Sequence, residues 1–207
     1  FQMFVKGPAS YTEENIKSSS NVARNIAFEL LVAAKFASAG LKIDFGTKAD
    51  LRINLEDFTV YVECKRPQSS HQINSNIKGA LSQLEERYKS HDGAKNPRGI
   101  IAISLTKILN PDQEILVARN TESLHSTTEK MLDRFHNDYK SKWFLPRDTK
   151  SIGALIYFSV PTSVEDENII AHSHQIDFTN CCDPKCDDMR LIRNIAKQVE
   201  AAGIANN

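Results

Sequence analysis

ADLRINLEDFTVYVECK, residues 49–65, alternates apolar and polar side chains on both sides of an acidic pair. Leu51, Ile53 and Leu55 interleave with Asp50, Arg52 and Asn54, and Phe58, Val60, Val62 and Cys64 with Thr59, Tyr61, Glu63 and Lys65. A period of two predicts two strands, each with one apolar and one polar face. With Glu56 and Asp57 in the turn, Leu55 pairs with Phe58 and Asp50 falls opposite Glu63. Facing residues of an antiparallel pair have Cβ atoms about 4.5–5.5 Å apart, and like charges so placed destabilise a sheet. A bound cation turns that repulsion into attraction, so the pattern predicts a hairpin with a metal site on its polar face.

The rest of the chain is large enough to support such a hairpin. With 207 residues and 41% hydrophobic content it can bury a core of its own, which predicts a single domain over 1–207. Its 26 basic residues are balanced by 26 acidic ones. Net charge therefore gives no support for nucleic-acid binding, and any such surface has to come from local segregation of charge. No apolar run approaches the roughly 20 residues that span a bilayer, and FQMFVKGPAS at 1–10 lacks the apolar heart of a secretory signal. The expectation is a soluble, cytoplasmic protein without membrane association. Because residue 1 is Phe rather than Met, a fragment or processed product is expected, with partner domains or a homodimer left open.

In chain order, a polar segment to about Ser20 precedes a predicted helix. The SSSN cluster at 18–21 offers N-caps, Val22, Ile26, Ala27, Leu30, Leu31 and Ala34 recur at helical spacing, and Gly40 is the expected stop. From Ile26 to Ala34 its only polar residue is Glu29. A buried, unpaired carboxylate costs several kcal/mol, so Glu29 needs a cation, a basic partner or a route to water. An exposed strip is the plain alternative. Leu41–Phe45 reads as a first strand, turned at Gly46 into the hairpin, and the three apolar strand faces are expected to cover the helix. Arg66-Pro67 ends the hairpin, and Ser69 or Ser70 caps a helix with the stripe Ile73, Ile77, Ala80, Leu81, Leu84 and Tyr88. Gln83 and Arg87 lie one turn apart beside that stripe. HDGAKNPRG from His91 is a loop, and GIIAISL from Gly99 a buried strand.

Further on, Asn110-Pro111 with Asp112, Gln113 and Glu114 reads as a helix start, with helical character to about Trp143. A capping box at Ser126–Glu129 suggests a joint near His125. Ser151–Val160 and Asn168–Phe178 flank the acidic turn VEDE as a hairpin. Asp183-Pro184 opens a last helix with the stripe Met189, Ile192, Ile195, Ala196 and Val199, ending at Gly203. The order helix, three strands, helix, strand is that of a layered α/β core.

The acid in an apolar helix and the Asp and Glu-x-Lys of the hairpin together resemble the PD-(D/E)XK nuclease superfamily, also called restriction-endonuclease-like, over about residues 21–105. The resemblance implies a core of helix, three-stranded meander, helix and strand, elaborated over about 106–207 by C-terminal helices and a β-hairpin. It implies that Glu29 is the helix acid, Asp50 the motif aspartate, Glu63 the acid of the Glu-x-Lys unit and Lys65 its lysine. Cys64 takes the variable position whose backbone carbonyl is a metal ligand in that family, and Ala49 stands where the signature often has proline. Gln83 matches a glutamine that exonuclease-like members use beside the site, but the tyrosine expected four residues later is Arg87, with Tyr88 one further.

These residue types suit phosphodiester hydrolysis. Hard oxygen ligands from Asp50 and Glu63 hold Mg²⁺ or Mn²⁺ with waters still attached, and Glu29 can ligate a second ion or orient a water. Lys65 lies two residues after Glu63, on the same strand face, where it can orient the attacking water or neutralise charge developing on phosphate. Glu63 and Lys65 as solvated strand residues, neutralised by Arg52 or Lys48, are the plain alternative. The expectation is a metal-dependent nuclease, with DNA ahead of RNA because the resembled family mostly cuts DNA. Against it stand a catalytically silent interaction module on the same fold and a DNA-binding subunit.

Cys181, Cys182 and Cys186 with His172 and His174 form a second cluster. Cys182 and Cys186 with the two histidines could complete a tetrahedral zinc site, although the spacing is not that of a standard knuckle and free thiols are the default. Cys64 is a poor nucleophile because its strand position points it to the core. Trp143 with Lys140, Lys142 and Arg147 could contact nucleic acid by stacking and charge, or simply pack. There is no Gly-rich phosphate loop.

Overall fold

The computed structural model describes residues 21–45, 49–90, 93–139, 150–180 and 187–205. Helix α1 (Val22–Ser38) leads into strands β1 (Lys42–Asp44), β2 (Leu51–Asn54) and β3 (Thr59–Lys65). A 3-10 turn (Ser70–Gln72) then opens α2 (Ile73–Tyr88), followed by β4 (Arg98–Ser104). The second half adds α3 (Thr106–Leu109), β5 (Leu116–Ala118), α4 (Thr121–Tyr139), β6 (Ser151–Val164), β7 (Ile169–Asn180) and α5 (Asp187–Ala205). The protein is mixed α/β, and the seven strands among the described residues form one mixed sheet. β1, β2 and β3 make an antiparallel meander, β3, β4 and β6 run parallel, and β7 returns antiparallel along β6.

The hairpin register is the one its alternation predicts. Leu51 pairs with Val62 and Asn54 with Thr59, and the Leu55 amide donates to the Phe58 carbonyl at 2.9 Å. Its polar face, however, is not a solvated face. Thr59, Tyr61 and Glu63 are as buried as Val60 and Val62, because β3 sits inside the sheet with helices on both sides. One core joins Phe28, Val32, Ala33 and Phe36 of α1 and Met189, Ile192, Ile195 and Val199 of α5 to Leu51, Ile53, Val60, Val62, Ile100 and Leu155. The other joins Ile73, Ile77, Leu81 and Leu84 of α2 and Leu132 and Phe135 of α4 to Tyr61, Ile101, Ile103, Ile156 and Phe158. The result is three layers: α1 and α5, the sheet, α2 and α4.

Within α1 the core face differs from the expected stripe. Val22 and Leu30 are exposed, as are Ala27 and Ala34, while Phe28, Val32 and Phe36 are buried at four-residue spacing. On a helix apolar almost all round, the two phenylalanines offer the largest area to bury and so set the rotation. Asn21 occupies the N-cap without a side-chain capping bond. The helix stops as expected at Gly40, which has φ +78°. The Gly40 amide donates to the Ala37 carbonyl and the Leu41 amide to the Phe36 carbonyl, at 2.9 and 3.1 Å, a Schellman motif with Leu41 and Phe36 buried beside each other in one core.

The segment after β4 departs furthest from expectation. Asn110 follows α3 instead of starting a helix. Its side chain brackets a loop, accepting from the Glu114 amide and donating to the Glu114 carbonyl, each at 2.9 Å. The Asn-Pro signal thus marks a turn, and β5 follows it unheralded because three residues are too few to show a period. Helix α4 starts at Thr121, where Asn120 and Ser123 exchange side-chain to amide bonds of 2.9 and 3.2 Å. It runs through His125 without a joint. Gly203 lies inside α5, not at its end. The polar start to Ser20, the turn at Gly46, and Lys48, His91, Lys140, Lys142, Trp143, Arg147, Cys181, Cys182, Asp183, Pro184 and Cys186 lie outside the described residues.

The hairpin of β6 and β7 joins the parallel core through a bulge. Gly99 pairs with Ser151 but Ile100 with Gly153, so Ile152 is the extra residue and side-chain parity flips there. Gly153 then sits where a Cβ would strike the Thr179 backbone carbonyl of β7 and the side chain of Ile192. A strand carbonyl cannot shift without loss of pairing. Gly153→Ala is therefore expected to destabilise the fold by about 1–3 kcal/mol, read as a lower urea midpoint at unchanged slope.

Candidate functional site

β3 runs past its partner β2, and the site lies at that overrun. The last recorded pair is Leu51 with Val62. Val62 and Cys64 turn their backbone groups toward the β2 edge, so beyond Leu51 the Cys64 amide has no strand carbonyl to meet. Asp50 fills the place: its Oδ2 accepts from the Cys64 amide at 2.6 Å. In an antiparallel ladder the amide and carbonyl of one residue point to the same edge, which puts the Cys64 carbonyl beside Asp50 as well. The Cys64 side chain packs into the core shared with α1. Burial, then the carboxylates of Asp50, Glu29 and Glu63, push its thiol pKa up, which removes it as a nucleophile, as its strand parity predicts.

Glu63 and Lys65 point the other way, under α2. Glu63 is fully buried. Its Oε1 accepts from Arg87 Nε at 3.2 Å, and its Oε2 lies 3.8 Å from Lys65 Nζ without a hydrogen-bond partner. Lys65 Nζ in turn donates to Gln83 Oε1 at 2.5 Å. Gln83 and Arg87 are i and i+4 on α2, so one helix face holds both members of the Glu-x-Lys pair. Glu29 joins from α1, on the other side of the sheet. Arg66 Nη1 donates to Asn25 Oδ1 at 3.2 Å, which ties α1 to the end of β3 one turn before Glu29. Burial, then Asp50, raise the Glu29 pKa, while Lys65 lowers it. Glu29 is half-buried rather than on an exposed strip, and lies within electrostatic reach of Asp50 and Lys65.

The structure thus brings Glu29, Asp50, Glu63, Lys65 and Gln83 together and adds Arg87, which the sequence placed one turn from Gln83 but to which it gave no role in the site. Its signal was the four-residue step from Gln83 beside an apolar stripe. Arg52 does not neutralise the site; it bonds Asp44 Oδ2 of β1 at 2.5 Å. Among the described residues no three His, Cys, Asp or Glu side chains converge into a ready-made metal cage. Mg²⁺ does not need one, since it usually takes one or two carboxylates and fills its octahedron with water and phosphate oxygens. The unpartnered buried Glu63 Oε2, the neighbouring Asp50 and the Cys64 carbonyl are hard oxygen donors that fit such an ion.

Burial and the Asp50 charge raise the Glu63 pKa from 4.5 to about 7, against the opposing pull of Lys65 and Arg87. Between those values the folded protein keeps a proton that the unfolded chain has released, so this group's contribution to stability falls as pH rises through the window. At ~1.4 kcal/mol per unit, the loss is about 3 kcal/mol. Glu63→Gln, which can still accept from Arg87, is expected to raise the melting temperature of the metal-free protein at pH 8 and to leave it unchanged near pH 4. An equal effect at both pH values would contradict a strained Glu63 carboxylate.

No helix among the described residues is long and apolar enough to cross a membrane. Comparison of the chain with protein-family models, with curated proteins and with solved structures finds no match.

Proposed function

We propose that this chain is a metal-dependent phosphodiesterase of the restriction-endonuclease-like class, cutting nucleic acid with DNA ahead of RNA. The observation that carries the reading is the buried Glu63, unpartnered at Oε2 and beside Asp50, with Lys65 on the same face held by Gln83. A buried carboxylate oxygen without a hydrogen-bond partner is costly, and a divalent cation at Oε2 would give it one. The order α1, β1 to β3, α2, β4 and the parallel pairing of β3 with β4 support the same fold class.

In this mechanism Asp50 and Glu63 would hold Mg²⁺ or Mn²⁺, with the Cys64 carbonyl and Glu29 as further oxygen donors. The ion supplies Lewis acidity toward the phosphate and a more acidic water. Asp50 is already fixed by the Cys64 amide, so its second oxygen is preoriented. Lys65 is fixed by Gln83 and balanced by Glu63, which positions its ammonium to orient the attacking water and to offset charge growing on the phosphate. Glu29 would accept a hydrogen bond from that water or help to hold a second ion. Arg87 keeps Glu63 compensated while the ion is away.

A catalytically silent interaction module is the second reading, favoured by one specific feature. Arg87 already compensates Glu63 and the Cys64 amide already engages Asp50, so the scaffold is self-consistent without metal. Supercoiled plasmid and single-stranded DNA, incubated with the protein and Mg²⁺, Mn²⁺ or EDTA, separate the two. Cleavage is expected with either ion, absent in EDTA, and reduced at least about 10²-fold in Asp50→Ala and Lys65→Ala. Cleavage surviving both substitutions would sink the site assignment, and metal or DNA binding without any cutting would establish the silent module.

A further inference from the structure

On the far side of the sheet from the hairpin, His172 and His174 stand two residues apart on β7 and so on one face of it. Both are exposed. Their rings are 5.2 Å apart between centroids and inclined by 36°. Each ring is anchored at Nδ1 by a hydroxyl from the adjacent strand β6: His172 by Ser159 Oγ at 2.8 Å, His174 by Tyr157 Oη at 2.6 Å. The anchors are themselves fixed. The Ser159 amide donates to Thr106 Oγ1 at 3.1 Å, and the Tyr157 ring packs against Phe28 with centroids 5.7 Å apart. With both Nδ1 atoms engaged, each imidazole has Nε2 left to offer.

We infer that His172 and His174 form a binding site for one Zn²⁺-class divalent cation, coordinated by the two Nε2 atoms and completed by water. The ring separation is compatible with such an ion. Zn–N bonds of about 2.0–2.1 Å at a tetrahedral angle, with roughly 1.1 Å from nitrogen to ring centre, set two imidazole centroids about 5 Å apart. The anchoring is the kind that metal-ligating histidines need, because the bond at the second nitrogen fixes ring orientation and tautomer. In the coordinating tautomer Nδ1–H would donate to the hydroxyl oxygen, leaving the Nε2 lone pair for the ion. Imidazole nitrogen selects Zn²⁺, Cu²⁺ or Ni²⁺ over Mg²⁺, so this site and the carboxylates around Glu63 do not compete for one ion. They are also apart: three strand steps of about 4.8 Å separate β7 from β3.

The test is Zn²⁺ titration of the EDTA-stripped full chain by calorimetry, with histidine side-chain nitrogen resonances followed by NMR. One equivalent of Zn²⁺ is expected to shift the Nε2 signals of His172 and His174. His172→Ala and His174→Ala should each weaken that binding event at least 10-fold, and Tyr157→Phe, which keeps the packing but removes the anchor, by about 10-fold. Asp50→Asn should leave it unchanged. Absence of Zn²⁺ binding, Nε2 signals that do not move, or an event lost in Asp50→Asn but retained in both histidine variants would overturn the inference. None of these readouts depends on nuclease activity.

Discussion

A carboxylate placed inside a sheet governs much of this structure. Glu63 is in the middle layer of a three-layer fold, where water cannot solvate it, and its compensation comes from elements far apart in sequence. Arg87 reaches it from α2, Lys65 from its own strand, while Asp50 adds a second negative charge instead of relieving the first. Placing Arg87 there fixes the rotation of α2, and that rotation seats Ile77, Leu81 and Leu84 on the sheet and Gln83 on Lys65. Packing and electrostatics thus set the same helix position. Where such requirements agree, a buried polar group specifies a structure as well as costing stability.

The overrun of β3 beyond β2 is the second constraint, and it follows from local chain chemistry. Once β2 ends at Leu51, the Cys64 amide requires a partner, and an acid at position 50 provides it. The same geometry leaves the carbonyl of Cys64 and a carboxylate oxygen of Asp50 on one edge, near the end of the parallel strands. Sites in open α/β sheets gather at the carboxyl ends of strands for this reason: pairing stops there, and backbone and side-chain groups become available together. β6 continues past that level for several residues with β7 alongside, and its side chains carry the hydroxyls that orient His172 and His174.

Legibility from sequence followed the strength and length of each pattern. The β2–β3 register, the stop of α1 at Gly40 and the stripe of α2 were readable because alternation, a positive-φ glycine and a helical period each act over a few neighbouring residues. The rotation of α1 was not readable, since a helix apolar on nearly every side has no intrinsic direction and only the sheet chooses its buried face. Asn110-Pro111 misled because the residues that start a helix also close a turn, and the choice depends on the side chain finding Glu114.

For the candidate site, the sequence by itself named the acids Glu29, Asp50 and Glu63 and the lysine Lys65, and it fixed the β2–β3 register up to the pair Leu51–Val62, because pairing arithmetic in a tight hairpin leaves little freedom. Only the tertiary structure decided that the polar face of β3 is buried, that Arg87 rather than Arg52 compensates Glu63, and that Gln83 holds Lys65. Those facts depend on α2 crossing β3, a contact between residues more than twenty positions apart in one pair and eighteen in the other. No local period encodes which residue of one element meets which residue of another. That information exists only once the layers are packed.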